Sequence, residues 1–482
     1  MPKPNARLLS SRIACLVVAI GATNVFAEGT RTQTESDEVE ALRREVKELR
    51  ELVDLLLQSQ GLDGADREGA SLSDVSPTAT TPRSDNASNQ ENGQRSEVEV
   101  PIDLFSGRQP LGRFPDDAFV TAGEFDRSIS VPGTSGSFRV GGAVQLNANY
   151  DPDNQGFQFI GTPPTIPVDG DVDDGSDQFL IHPRHSRVNF DFRAPTRLGQ
   201  FRTFVEFDFF GDGNEFTNDF DLRLRHAAAE LGPWKIGQFW SGFTDVFALP
   251  ETADPGGPLA APALRQPGVY YVSGSLAESN WGLGVENPAA DLGGNTALQA
   301  SESVPTIVGF SRLSRDWGYL RFSGIALELR SDTDSDLTGG VQVTGRLNTP
   351  VTGSEFNNLA FGAVYGAGFT HYYSSFLGGL AGIIADDGSV EATDIAGAYL
   401  GYQHFWTDRW RSTLTASFFD FDHPSGAAPE SFANSERYSM NLFYNPIDGV
   451  TFGLEGIYND VETFDGSVGE GVRIEFVGRF DF

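Results

Sequence analysis

Between Phe138 and Phe482, apolar side chains return at every second position in one segment after another. The last segment, GVRIEFVGRFDF over 471–482, puts Val472, Ile474, Phe476, Gly478, Phe480 and Phe482 on one face. Arg473, Glu475, Val477, Arg479 and Asp481 fall on the other. A period of two describes a strand with unlike faces. Chain ends usually fray, yet this one carries its apolar face to the final residue, so something apolar must receive it. Sixteen such segments are legible, roughly at 138–150, 179–193, 201–210, 219–231, 233–240, 267–275, 281–287, 303–312, 317–330, 338–348, 357–367, 395–406, 410–421, 435–446, 450–460 and 471–482.

The connections between these segments say more. Short turns such as GP, SRD and TDR follow the even segments, and longer stretches follow the odd ones, from 151–178 to 461–470. That is an up-and-down meander with its loops divided between two sides. Past the first residues no stretch nears the roughly 18 apolar residues of a membrane helix. A transmembrane barrel escapes such a search, because its strands are apolar on one face only. All six tryptophans lie in this region, and Trp234, Trp281, Trp317, Trp406 and Trp410 sit beside short turns, where an interfacial girdle belongs. The expectation is an all-β transmembrane barrel of sixteen antiparallel strands, with the Phe482 face in lipid and the last strand closing against the first. This barrel domain would span 138–482.

Residues 1–27 read as a signal peptide, with basic Lys3, Arg7 and Arg12, an apolar run IACLVVAIGA and a small-residue cleavage site at VFA. The only cysteine, Cys15, lies within it, so no disulfide is expected in the mature chain. The segment 28–60 reads as a short coiled coil: Val39, Val46 and Val53 share one heptad position, and Leu42, Leu49 and Leu56 the other. Its three heptads are marginal alone, so the main assembly contacts should lie elsewhere. Residues 61–137 read as a linker, rich in Ser, Thr, Asn and Gly at first and more apolar towards its end.

The chain is acidic, with 34 Lys+Arg against 67 Asp+Glu, a charge that repels nucleic acid. The acids concentrate in the long loops, which hold a single base, Arg265. The acidic run DGDVDDGSD lacks the final Glu of an EF-hand and reads as a solvated loop, so no metal site is expected. The six histidines lack zinc spacing and no G-x-S-x-G elbow occurs, so neither catalytic residue nor cofactor is expected.

The arginines behave differently from the acids. In SRVNFDFR, FRTFVEFDFF and DLRLRH, alternation directs Arg187, Arg193, Arg202, Arg223 and Arg225 away from the apolar face, onto one stretch of inner wall. Arg is too costly on the lipid face at mid-membrane, and its planar fork suits carboxylate or phosphate. Pairing with Asp191, Glu206, Asp208 and Asp221 inside the barrel is the structural alternative for some of them. The third long loop, 241–266, is apolar for an external loop and should fold inward, bringing Asp245, Glu251 and Asp254 towards the pore. Acids on that loop facing a basic wall would set up a transverse field.

The stretch LRHAAAELGPWKIGQFWSGFTDVFALPETADPGGP, the following RQPGVYY and the barrel start SFRVGGAVQLNANYD resemble the DcaP-like outer-membrane porins. The coiled coil before the barrel is similar too. Ala228 departs from the family pattern, in which an aromatic is usual there. The resemblance implies a homotrimeric sixteen-stranded porin in the bacterial outer membrane, with an inward third loop. It would be a channel for small anionic solutes such as dicarboxylates. Outer-membrane lipid and lipopolysaccharide, and the barrel-assembly machinery acting through Phe482, are the expected partners, with the coiled coil in the periplasm. A structural envelope protein tethered by residues 28–60, or an outer-membrane lipid hydrolase, are the alternatives.

Overall fold

The computed structural model describes residues 122–214, 217–275, 279–349, 356–373 and 379–482. The signal peptide, the coiled coil and most of the linker lie outside the described residues.

Sixteen wall strands follow in chain order. They are β1 (Ser137–Asp153), β2 in two pieces (Gln178–His182 and Arg187–Thr196), β3 (Gly199–Asp208) and β4 (Arg223–Leu231). Next come β5 (Trp234–Trp240), β6 (Arg265–Ser275), β7 (Ser279–Glu286) and β8 (Thr306–Arg315). After these come β9 (Gly318–Arg330), β10 (Ser335–Asn348), β11 (Asn358–Ala367) and β12 (Asp394–Phe405). The wall ends with β13 (Trp410–Asp422), β14 (Phe432–Tyr444), β15 (Val450–Thr463) and β16 (Val468–Asp481).

Each strand pairs antiparallel with the next, as in Ile307↔Ala326 between β8 and β9. The ring shuts where β1 meets β16, with Val144 opposite Phe480 and Ala148 opposite Phe476. At the seam the Phe482 amide donates to the Gly142 carbonyl at 3.0 Å, and the Gly142 amide donates to the Phe482 carbonyl at 3.2 Å. Closure leaves no unpaired strand edge, which lipid does not tolerate. Phe476, Phe480 and Phe482 point outward and exposed, so the apolar face of the last strand belongs to the lipid-facing surface.

The sorting of faces follows the alternation. Val140, Val144, Leu146, Leu283, Ile307 and Leu454 are exposed on the outside, whereas Gln145, Asn147, Thr306 and Glu455, each next to one of them, are buried inside. Trp234, Trp281, Trp317, Trp406 and Trp410 are all exposed beside short turns. One strand departs from expectation: β2 is broken at 183–186. Pro183 has no amide to give the ladder, and a turn closes there, with the Ser186 amide donating to the Pro183 carbonyl at 2.9 Å. β4 also starts later than the alternation suggests, at Arg223.

The largest apolar core of the described residues is not between sheets. Phe243, Leu259 and Ala260 of the third long loop pack with Phe369, Tyr372 and Tyr373 of the sixth. Inward side chains of the wall, Leu327, Leu329 and Phe419, complete it. Residues 292–294, 382–384 and 390–392 form a small three-stranded sheet between the fourth and sixth loops.

Candidate functional site

The inner faces of β2, β3 and β4 bring the arginines together by register. Asp208 stands between Arg187 on one neighbour and Arg223 on the other. Arg223 binds both oxygens of Asp208, Nε at 3.0 Å and Nη2 at 2.6 Å. Arg225 bridges Glu206 at 2.6 Å and Asp208 at 2.8 Å. Nearer the short turns, Asp191 is fully buried and accepts bidentate bonds from both Arg193 and Arg202, all between 2.9 and 3.2 Å. Arg139 of β1 approaches the same carboxylate at 3.7 Å. Arg265, at the start of β6, lies within electrostatic range of Arg187, Arg223, Arg225 and Asp208, with its guanidinium 4.6 Å from the Trp240 ring centroid. Among the described residues Arg265 meets no carboxylate in an ion pair.

Among the described residues, seven guanidiniums on this wall stand against four carboxylates, Asp191, Glu206, Asp208 and Glu230, the last 3.9 Å from Arg202. Asp221, the fourth acid expected to pair here, forms no ion pair among the described residues.

The third loop runs inside the wall, and its acids do something other than face these arginines. At its root the Gly242 amide and Ser241 hydroxyl donate to Glu286 of β7, each at 3.1 Å. Asp245 is buried and accepts from Thr344 of β10 at 2.7 Å and from the Tyr319 hydroxyl of β9 at 3.2 Å. Arg321 of β9 comes within 3.7 Å of it. Arg346 of β10 donates to the Phe247 and Leu249 carbonyls at 2.8 and 2.7 Å. Glu251 takes Gln403 of β12 at 2.6 Å and a two-pronged bond from Arg411 of β13 at 2.6 and 2.5 Å.

The tip is held most heavily. Asp254 is fully buried and bonds Arg437 of β14 at 3.0 Å, with Arg473 of β16 at 3.8 Å. The Gly161 and Gly256 amides donate to it at 2.8 and 2.6 Å. Burial opposes its charge, but the two guanidiniums and the amides more than offset this and hold its pKa below the ordinary aspartate value. The Ala253 amide donates to Glu455 of β15, and the Asp254 amide joins it at 3.1 Å.

The loop thus hugs the wall from β7 round to β16. The side chains expected to face the arginine wall across the lumen are instead bonded to inward residues of the opposite wall. Each carboxylate finds donors there that offset its desolvation. None of these anchors lies on β2, β3 or β4, which carry the arginine cluster. The clues to these anchors were Arg321, Arg346, Arg411, Arg437 and Arg473, all on inward positions of the same two-residue alternation.

A closed antiparallel barrel with an apolar outer belt and a polar, arginine-bearing interior defines the class of transmembrane channels of the outer-membrane type. A family profile described as DcaP outer membrane protein matches residues 119–482, and the chain belongs to that family. It is therefore an outer-membrane porin by family, and this membership points to a channel rather than an enzyme. The fold is similar to the crystal structure of the outer membrane channel DcaP of Acinetobacter baumannii. Identity is 20%, the TM-score is 0.65, and the match covers 75% of this chain and 100% of that one. An anion-selective porin from Comamonas acidovorans matches more loosely, at 11% identity and TM-score 0.47, over 72% of this chain and 100% of the other. OmpT of Vibrio cholerae in its trimer form matches at 11% identity and TM-score 0.47, again over 72% and 100%. No curated protein matches the sequence.

Proposed function

We propose that the barrel is a water-filled channel for passive diffusion of small hydrophilic solutes with a preference for anions, dicarboxylates among them. The observation that carries this reading is the charge imbalance of the arginine wall: among the described residues, seven guanidiniums against four carboxylates, of which Glu230 is also shared with Lys235. On the covered wall the balance is near neutral. Arg321, Arg346, Arg411, Arg437 and Arg473 face Asp151, Asp245, Glu251, Asp254 and Glu286. A cation about 5 Å from a passing anion in a partly desolvated passage attracts it by about 3 kcal/mol. The acids of the outer loops lie in water, where salt screens them beyond about 8 Å. Local excess on the wall then outweighs the larger net charge of the chain. Arg187, Arg223 and Arg265 are the solute-facing group in this reading, while buried Arg225 is held by Glu206 and Asp208, and Arg193 and Arg202 share Asp191 and shape the wall.

The working unit in this reading is a homotrimer in a lipopolysaccharide-containing membrane, inserted by assembly machinery that recognises the exposed Phe482. Residues 28–60 would stand in the periplasm. The test is a reversal potential across a KCl gradient with the purified protein in planar bilayers. Anion selectivity is expected at moderate salt, with a shift towards cations in Arg223→Gln/Arg265→Gln. A cation-selective parent channel that the double substitution leaves unchanged would defeat the proposal.

A further inference from the structure

Beneath the third loop, on the short-turn side, the wall holds a cavity of about 200 Å³ that the arginine cluster does not use. Its sides are aromatic: Phe204, Phe239, Trp240, Phe247 and Phe310. The room exists because two adjacent inward positions carry almost no side chain. Ala228 of β4 pairs directly with Gly237 of β5, and Gly237 has φ +116°, with the Ala227 carbonyl 2.0 Å from where a Cβ would sit. Only glycine fits there, so the floor is two small residues wide between Phe204 and Phe239.

The charges of this cavity leave one cation over. Lys235 pairs with Glu230 at 3.2 Å. Arg321 lies 3.7 Å from Asp245 and donates to the Thr244 carbonyl at 2.8 Å. Arg312 of β8 stacks on the Tyr319 ring, 3.5 Å from its centroid, and gives one hydrogen bond to the Ser314 hydroxyl at 3.2 Å. Among the described residues it meets no carboxylate. Trp240 lines the cavity and also carries Arg265 over its face at 4.6 Å, so it joins this cavity to the arginine wall.

We propose that this cavity is a binding subsite for aromatic monocarboxylates, the ring lying over Ala228 and Gly237 among the phenylalanines and the carboxylate on the Arg312 guanidinium. The size agrees: an apolar protein cavity of about 150 Å³ accommodates benzene, so the present one holds a single ring with a carboxylate. The sign and count agree too, since one unpaired guanidinium matches one carboxylate, and its planar fork suits a two-pronged bond. The apolar lining gives an aromatic ring an advantage over a short aliphatic chain of the same charge. The inference rests on the reading of the barrel as a channel for small anions and adds a solute class and a place to it.

The experiment uses the full chain in planar bilayers, with benzoate added on the short-turn side and butyrate as the aliphatic control. Benzoate should interrupt the current with an apparent affinity at least about tenfold above that of butyrate, as apolar burial of the ring requires. Arg312→Gln should weaken the benzoate block by about tenfold or more, the scale of a charged hydrogen bond. Ala228→Phe fills the floor and should do the same, with heat-modifiable mobility checking that each variant is folded. Equal block by benzoate and butyrate overturns the proposal, as does a benzoate block that survives either substitution in a folded channel. The KCl reversal potential, recorded without benzoate, judges the anion preference separately. A cation-preferring channel whose benzoate block still depends on Arg312 and Ala228 would sink that preference and leave the subsite standing.

Discussion

Asp254→Asn tests what holds the third loop in place. The substitution keeps the shape of the side chain and removes its charge. Arg473 keeps a partner, because it also binds both oxygens of Asp151 at 2.7 and 2.9 Å. Arg437 does not: Asp254 is the only carboxylate with which it forms an ion pair among the described residues, and its side chain is 1% exposed. An uncompensated buried guanidinium costs about 3–5 kcal/mol. The new amide also turns one NH2 towards the Gly161 or Gly256 amide, so one accepted bond is lost as well. At about 1.4 kcal/mol per factor of ten, the fraction of molecules with a released tip should rise roughly 100- to 3,000-fold. The roots of the loop stay tied through Asp245 and Glu251, so the barrel itself should survive. Single-channel recordings should show frequent transitions between conductance levels, and external protease should cut within 250–258 where it spares the parent. Asp245→Asn makes the internal comparison. Its closest bonds come from the neutral hydroxyls of Thr344 and Tyr319, and Arg321 keeps its carbonyl partner. Its effect should be near the 1–3 kcal/mol of about one unsatisfied group. If Asp254→Asn were as quiet and protease-resistant as the parent, the ion pair would not be the anchor, and the account of the loop would fail.

Two further outcomes follow from the same geometry. Because the folded pKa of Asp254 is depressed, its contribution is fully present above the ordinary aspartate value and is lost as pH falls through the folded one. The difference in current noise between the parent and Asp254→Asn should therefore be unchanged between pH 7 and 5 and should shrink only below about pH 4; a difference that already shrank at pH 6 would contradict the assignment. Deleting 473–482 should abolish membrane insertion, since β16 pairs with both β15 and β1 and its loss opens two strand edges to lipid. Normal amounts of heat-modifiable barrel from that truncation would refute closure by the last strand.

Much of the wall is legible in the chain because the physics of a membrane barrel is local. Lipid on one side and water or polar side chains on the other force the two-residue period. The period alone gives the outward Phe480 and the inward Arg187, Arg202 and Arg223. What it does not give is the partner of each inward charge. Asp191 collects Arg193 from its own strand and Arg202 from the next, a contact within reach of hairpin reasoning. Asp254 bonds Arg437 and Arg473, which stand far along the chain and meet it only after the ring has closed. A loop that looks acidic and apolar in sequence therefore reads equally well as a pore-facing arm or as a strap, until the donors behind it are located. The break of β2 at Pro183 is visible both as a residue and as a change of phase, since the outward positions pass from odd Phe179 and Ile181 to even Phe190.

The cavity under the third loop divides in the same way. Its floor follows from the two-residue turn at 232–233: once Leu231 pairs with Trp234, counting back along both strands sets Ala228 against Gly237. A gap between Phe204 and Phe239 is therefore written into one hairpin and its neighbour, whose register puts Phe204 opposite Ala228. The roof and the charge are not written there. Phe247 arrives on the strapped loop and Arg312 on β8, so the pocket exists only if the strap holds. This ties the two functional elements together: the anchors at Asp245, Glu251 and Asp254 fix the loop, and the fixed loop covers a wall whose small residues would otherwise be a defect. A loop fastened by buried ion pairs is rigid enough to keep such a space open, whereas one held by apolar contacts alone would settle into it.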